Sequence, residues 1–89
     1  MKLRWTEQAW EDYRYWRRND PDTMMKINTL IADIRRNPFH GLGKPEALKF
    51  ALSGWWSRRI TKEHRLVYRL SGKPGEQVLE IAQCRYHYR

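Results

Sequence analysis

The stretch Ser57–Leu70, with the sequence SRRITKEHRLVYRL, carries the pattern of a β-hairpin. The β-branched pair Ile60-Thr61 favours a strand, the polar pair Lys62-Glu63 favours a turn, and Leu66–Tyr68 favours a second strand. The stretch therefore predicts two antiparallel strands joined by a short polar turn, around which the rest of the sheet is built.

Alternation along the two strands predicts a polar face and an apolar face, because successive side chains of a strand point to opposite sides. The polar face is predicted to carry Ser57, Arg59, Thr61, Arg65, Val67 and Arg69. The other face is predicted to carry Trp56, Arg58, Ile60, His64, Leu66, Tyr68 and Leu70. The apolar face suits a protein core, and the cationic face is where we expect the chain to meet an anion.

The chain before the hairpin predicts one strand and two helices. Met1–Trp5 alternates apolar and basic residues, which is typical of a short strand. Thr6 is the predicted N-cap of a first helix that runs to about Arg18. Asp20-Pro21 predicts the start of a second helix, which ends near Asn37 because a proline follows.

The remaining segments predict the rest of an antiparallel sheet. Phe39–Pro45 is a loop rich in Gly and Pro, and Glu46–Trp56 holds a short strand and a turn. Ser71–Glu76 is a second turn, and Gln77–Tyr88 alternates as a last strand. We predict one α+β domain over residues 1–89, with two N-terminal helices packed on one face of a small twisted antiparallel sheet.

Length, charge and cysteine content limit the class of protein. The chain has 89 residues, enough for one domain, and a net charge of +8 with a pI near 10.1. Such an excess favours a polyanionic partner: nucleic acid, an anionic membrane or an acidic protein. No apolar run approaches the roughly 18 residues of a membrane span, and no secretory leader is apparent. Cys84 is the one cysteine, so we expect a buried thiol in a cytoplasmic protein.

The basic residues of the sheet half are the predicted RNA contacts. Arg58 and Arg59 alternate on a strand, with Lys44 and Lys49 upstream, and such cations bind phosphates. The alternative is a solvated surface that keeps the protein in solution.

The residue types available favour acid–base chemistry without a metal or cofactor. The chain has neither a zinc-binding motif nor a Walker loop. RNA can be cleaved without a metal because its 2′-hydroxyl is an internal nucleophile, given a base, an acid and cations for the charged phosphorane. Glu46 and His87 are eligible as base and acid by residue type, and so are His64 and His40 as acids. Each of them could equally be an inert surface group.

Several long motifs carry a resemblance to a known family. They are KLRWTEQAWEDYRYW at 2–16, RRNPFHGLGKPEALK at 35–49, LSGWWSRRIT at 52–61, EHRLVY at 63–68 and CRYHY at 84–88. Over residues 1–88 the chain resembles the YoeB family of toxins, a branch of the RelE-like, ribosome-dependent mRNA interferases. The resemblance implies a RelE-like fold and a type II toxin-antitoxin module. It also implies endoribonuclease activity that cuts mRNA in the ribosomal A site and leaves a 2′,3′-cyclic phosphate or its opened product.

The resemblance also implies roles and partners. Glu46 would be the general base, His87 the general acid, and Arg65 the group that stabilises the phosphate. Further implied contacts are Lys49 and Arg59 as cations and Tyr88 as an orienting residue. The implied partners are mRNA, the ribosome and a YefM-like antitoxin whose disordered tail folds over the toxin, and a homodimer is also open. A second function class is a non-catalytic basic module that binds RNA or an antitoxin.

Overall fold

Two helices pack on one face of a five-stranded sheet in the computed structural model, which describes residues 1–87. The strands are β1 (Lys2–Trp5), β2 (Glu46–Ala47), β3 (Trp56–Arg59), β4 (Arg65–Ser71) and β5 (Val78–Gln83). The helices are α1 (Glu7–Asn19) and α2 (Pro21–Arg36), and a 3-10 turn spans Phe50–Leu52. The sheet order is β1-β5-β4-β3-β2. The predicted α+β class is confirmed.

Both helices begin where the sequence predicts. The Thr6 hydroxyl accepts a hydrogen bond from the Ala9 amide at 3.1 Å, and it caps α1. The Asp20 carboxylate accepts from the Thr23 amide at 3.3 Å and from the Thr23 hydroxyl at 2.7 Å. Each cap satisfies an amide that has no partner inside its helix.

The sheet is mixed, so the prediction of a purely antiparallel sheet is wrong at one edge. β1 pairs with β5 in parallel, from Lys2 opposite Val78 to Trp5 opposite Ile81. The other strand pairs are antiparallel. A tight turn forces its two strands to be antiparallel, whereas β1 and β5 are joined by most of the chain. The sequence therefore contains no turn motif that would indicate whether β1 runs parallel or antiparallel to β5.

The hairpin forms with a longer connection than predicted. β3 ends at Arg59 and β4 begins at Arg65, and the amides of Ile60 and Thr61 both donate to the carbonyl of His64. The prediction of a strand at Ile60-Thr61 is therefore wrong. Ile60 is fully buried, so its branched side chain reflects packing in the core rather than strand pairing.

The last strand is shorter than predicted. β5 ends at Gln83, and the next residues, which we call the tail (84–87), are irregular. A bulge precedes the end of the strand, because Tyr68 pairs with Ile81 while the adjacent Val67 pairs with Gln83. The predicted strand continuation is thus wrong over the tail, and Tyr88 lies outside the described residues.

The core lies between the helices and the sheet. Its buried apolar side chains are Ala9, Trp16, Ile27, Leu30, Ile31, Ile34, Ile60, Leu66, Tyr68, Leu79, Ile81 and Cys84. Cys84 is fully buried, as predicted. Within residues 1–87, no helix is long and apolar enough to cross a membrane.

Arg58 also lies on the core side of the sheet, and its exposed fraction is zero. Its guanidinium pairs with the Asp33 carboxylate of α2 at 2.5 Å. It also donates to the carbonyls of Asn37, His40 and Leu42 and to the hydroxyl of Tyr68. The prediction that Arg58 contacts RNA is therefore wrong: this side chain fastens the loop after α2 to the underside of β3.

The Arg58 contact governs the charge of its partner. The hydrogen bond from Arg58 holds the pKa of Asp33 below its usual value, and a second hydrogen bond from the Leu42 amide acts in the same direction. Asp33 therefore stays ionised, as a buried carboxylate must to pair with a guanidinium. This pair therefore holds the loop after α2 from Asn37 to Leu42.

Candidate active site

A row of paired residues crosses the sheet on the face opposite the helices. Glu46 of β2 pairs with Ser57 of β3, Ser57 pairs with Val67 of β4, and Val67 pairs with Gln83 of β5. Paired residues point to the same side of a sheet. The predicted polar face is thereby confirmed for the hairpin residues within β3 and β4 but not for Thr61, which lies in the connection, and Glu46 lies on this face.

One small cavity gathers most of the predicted site. It has a volume of about 150 Å³. Its lining residues are Lys44, Glu46, Ser57, Arg59, Arg65 and His87. These residues come from the loop before β2, from β2 itself, from the two hairpin strands and from the tail, so only the folded sheet brings them together.

Three predicted residues lie elsewhere or are not described. Lys49 lies beside this cavity, in a neighbouring cleft that it shares with Glu46 and Phe50. Arg58 faces the core, on the other side of the sheet. Tyr88 lies outside the described residues, so its implied orienting role stays a prediction.

Arg65 is held firmly at the edge of the cavity. Only 8% of its surface is exposed. One terminal nitrogen, Nη1, donates to the carbonyls of Thr61, Lys62 and His64 at 2.9–3.1 Å. A guanidinium fixed in this way presents its charge without first having to be ordered, which is the arrangement that favours a charged transition state.

Arg59 is exposed, and its backbone binds the loop that carries Lys44. The Arg59 amide donates to the Gly43 carbonyl at 2.7 Å. Gly43 has a φ of +78°, and a Cβ there would lie 2.9 Å from the Arg59 carbonyl oxygen. Glycine therefore allows this close approach, which brings Lys44 to the rim.

The tail turns back over β4 and brings His87 to the cavity. The Gln83 side-chain amide donates to the carbonyls of Arg85 and His87, at 3.1 and 2.8 Å. The Arg65 amide donates to the Tyr86 carbonyl at 2.8 Å. The exposed His87 side chain thus sits on a backbone that is held at several points.

The arrangement offers each group that RNA cleavage requires. A carboxylate (Glu46) and an imidazole (His87) line a cavity whose other charges are Lys44, Arg59 and Arg65. A carboxylate can accept a proton, an imidazole can donate one, and cations stabilise a phosphorane. Among residues 1–87, no group of three or more His, Cys, Asp or Glu side chains is placed to hold a metal ion.

Two residues of the site are not indicated by the sequence pattern. Alternation places Ser57 on the polar face without suggesting a role, and Ser57 is 3% exposed and lines the cavity. The pattern predicts Gln83 as an ordinary strand residue, yet its side-chain amide holds the tail. A signal was available for Gln83: it is a polar residue in the alternating series of Leu79 and Ile81, and a polar side chain that becomes buried needs a hydrogen-bond partner.

The chain is similar in sequence and in fold to one family of bacterial toxins. The family model described as "YoeB-like toxin of bacterial type II toxin-antitoxin system" matches residues 5–88. The curated protein "Toxin YoeB" of Escherichia coli K12 is 58% identical over 88 residues, covering 99% of this chain and 100% of that protein. A solved "YoeB/ParE toxin from Agrobacterium tumefaciens" superposes with a TM-score of 0.95 and 57% identity, covering 99% of this chain and 100% of that one.

A Staphylococcus aureus relative has been solved in two assemblies. One is described as a YoeB dimer and the other as a heterotetrameric complex of the YoeB-YefM toxin-antitoxin. Their chains superpose with TM-scores of 0.88 and 0.87, both at 45% identity. Each comparison covers 99% of this chain and 98% of the solved one.

Proposed function

Because the chain belongs to the YoeB-like toxins of bacterial type II toxin-antitoxin systems, we propose that it is a ribosome-dependent endoribonuclease that cleaves mRNA in the ribosomal A site. The observation that carries this proposal is the single cavity lined by Glu46, Arg59, Arg65 and His87. It contains a base, an acid and cations on one open face of the sheet.

In the proposed reaction, RNA supplies its own nucleophile. The Glu46 carboxylate takes the proton of a 2′-hydroxyl, and the 2′-oxygen forms a bond to the adjacent phosphorus. The bond from phosphorus to the 5′-oxygen breaks as His87 donates a proton to that leaving oxygen. The products are a 2′,3′-cyclic phosphate and a 5′-hydroxyl, and neither a metal nor a cofactor takes part.

The cations would act on the phosphorane, which carries more negative charge than the starting phosphodiester. Arg65 is the strongest candidate, because its guanidinium is already fixed by three carbonyl oxygens of its own turn. Arg59 and Lys44 are exposed and would contact the phosphates on either side. Lys49 would extend this contact along the neighbouring cleft.

The small size of the cavity supports a need for the ribosome. Ligand sites that hold a whole small molecule have volumes of about 300–1,000 Å³, whereas this cavity has about 150 Å³. A cavity of this size suits contact with one phosphodiester, and a flexible RNA must also be bent into line for attack. The A site would provide that conformation, and such positioning can contribute several kcal/mol. The proposed location is therefore the cytoplasm, where ribosomes translate.

The proposed protein partners follow from the same family. We propose a cognate YefM-like antitoxin, an acidic and initially disordered protein that orders on contact with this cationic toxin. A homodimer is proposed as well, since the Staphylococcus aureus relative is described in both assemblies.

The test is single-turnover cleavage of one message, with and without translating ribosomes. We expect slow cleavage of naked RNA and much faster cleavage on ribosomes. His87→Ala and Glu46→Gln should lower the ribosomal rate by about 10²–10⁴-fold, the usual contribution of a general acid or base. The matched controls are His40→Ala and Glu76→Gln, whose side chains are exposed and lie outside the cavity.

Each contradictory result points to a different error. Equal rates with and without ribosomes would indicate a self-sufficient ribonuclease. Parental rates in both His87→Ala and Glu46→Gln would refute the assigned roles. Absence of any cleavage by the parent, with ribosome binding intact, would favour the non-catalytic basic module.

A further inference from the structure

Two side chains of α1 hold the first residue of the tail, Cys84, by its backbone. The Cys84 amide donates to the Asp12 carboxylate at 3.0 Å, and the indole N–H of Trp16 donates to the Cys84 carbonyl at 2.8 Å. Asp12, Trp16 and Cys84 are all buried. The chain therefore leaves β5 in a fixed direction, two residues before Tyr86.

Tyr86 then adopts a backbone conformation that is unfavourable for an aromatic residue. Its φ is +66°, in the left-handed region that suits glycine. Such a conformation is strained and persists only where surrounding contacts enforce it. Both backbone polar groups of Tyr86 make such contacts, since its amide donates to Nδ1 of His64 at 2.7 Å and its carbonyl accepts from the Arg65 amide at 2.8 Å.

The His64 ring, which accepts the hydrogen bond from the Tyr86 amide, is itself held in place. The His64 ring lies edge-on to the Trp16 ring, with centroids 4.8 Å apart and an interplanar angle of 81°. Trp16 is the side chain that binds the Cys84 carbonyl. The same residue of α1 therefore fixes both the start of the tail and the imidazole that receives the Tyr86 amide.

The consequence for the active site is geometric. His87 follows the left-handed residue directly, so the direction of its side chain depends on the Tyr86 torsion angles. His64 does not line the cavity, whereas His87 does. An imidazole outside the site thus binds the backbone of the residue that directly precedes the imidazole inside it.

We propose that His64 is a positioning residue: its Nδ1 holds the Tyr86 amide, and this hydrogen bond fixes the turn that places His87 in the cavity. The proposal rests on the proposed function, in which His87 is the general acid. To accept at Nδ1, the neutral imidazole must carry its proton on Nε2. The role is therefore specific to an acceptor at the δ position of the side chain.

Two substitutions separate this role from simple packing. His64→Asn keeps an acceptor oxygen at the δ position, whereas His64→Gln moves its polar atoms one bond farther from the backbone. Gln is also closer to His in bulk than Asn is, so a pure packing role favours Gln and the acceptor role favours Asn. His64→Ala removes both features.

The first measurement follows the Tyr86 amide by NMR hydrogen exchange, which does not depend on activity. We expect protection in the parent and in His64→Asn, and faster exchange in His64→Gln and His64→Ala. Protection that is unchanged in His64→Ala would overturn the proposal, because the amide would then not depend on His64.

The second measurement is single-turnover cleavage on ribosomes, with ribosome affinity determined separately. A displacement of about 1 Å in a reacting group can cost about 10²-fold in rate. We expect a loss of that order in His64→Gln and His64→Ala, retention of most of the rate in His64→Asn, and unchanged affinity in all three. A Gln variant that cleaves as well as the Asn variant would refute the acceptor role.

A parallel His87→Ala measurement distinguishes the two proposals. If His87→Ala cleaves at the parental rate, the proposed acid is wrong, and a rate loss in His64→Ala could not then be assigned to positioning of His87. A different result would be impaired cleavage by His87→Ala but normal cleavage by His64→Ala, although the Tyr86 amide of His64→Ala exchanges fast. The proposed function would then stand, and the positioning role would be refuted.

Discussion

Arg58 and Arg59 are neighbours in β3, and their side chains lie on opposite faces of the sheet. The Arg58 guanidinium has no exposed surface and is surrounded by oxygen atoms of α2, the following loop and β4. The Arg59 side chain is exposed and lines the candidate active site. One residue type thus holds the fold together on one face and offers charge to a ligand on the other.

The two arginines differ in the free energy that is needed to remove their charge from water. Removing a guanidinium from water is unfavourable unless it gains a counter-ion and hydrogen bonds, and Arg58 has both. In return it fixes the loop from Asn37 to Leu42, which leads to Lys44 and Glu46. Arg59 keeps its hydration, so its charge remains available for a phosphate.

The largest effect is expected from breaking the buried side of this comparison. Arg58→Met should destabilise the protein by about 3–5 kcal/mol, because the buried Asp33 carboxylate would lose its closest ion-pair partner and keep only Arg36, at 3.7 Å. The matched change one residue later, Arg59→Met, should alter stability by about 0.5 kcal/mol or less. Urea unfolding of both variants measures the difference, and similar midpoints would contradict the assignment of two separate roles.

A second prediction concerns pH and the same ion pair. The hydrogen bond from Arg58 lowers the pKa of Asp33, so the folded protein retains the charged form at a pH where the unfolded chain takes up a proton. This contribution to stability is present above the ordinary pKa of about 3.8 and is lost as the pH falls through the lower folded pKa.

Asp33→Asn should therefore reduce the acid-side slope of unfolding free energy against pH, measured by urea titration between about pH 5 and pH 2. Glu76→Gln, at an exposed carboxylate in the turn after β4, is the control and should leave that slope nearly unchanged. An Asp33→Asn protein with the parental slope would show that this carboxylate titrates alike in both states.

The two arginines also show which structural features can be predicted from the sequence alone. Strict alternation placed Arg58 and Arg59 on opposite faces correctly, because period-2 geometry is local. Alternation could not show that Arg58 has a partner in Asp33, which lies 25 residues earlier and reaches it only after α2 packs on the sheet. The pattern of lysines and arginines alone therefore predicts that both arginines contact RNA.

The tail illustrates the same limit. Its residues continue the alternation of β5, so the pattern predicted a strand. The contacts that end the strand come from remote positions, including His64, which is 22 residues from Tyr86. The cavity residues Glu46, Arg65 and His87 were nevertheless identified, through the family resemblance rather than through spacing.

The smallest expected effect sharpens the exposed side of the comparison. Arg59→Ala should weaken ribosome binding modestly, because Arg59 would be one of several cations that contact phosphates. Loss of one phosphate contact should reduce the slope of log affinity against log salt by about 0.7–0.9.

Lys73→Ala, an exposed cation in the turn after β4 and outside the cavity, is the matched control. Affinity should be measured at several salt concentrations, since a single value cannot separate a lost phosphate contact from a misfolded fraction. A parental slope in Arg59→Ala would mean that this arginine, although exposed beside Glu46, does not contact phosphate, and the cationic role would then fall to Lys44 and Arg65.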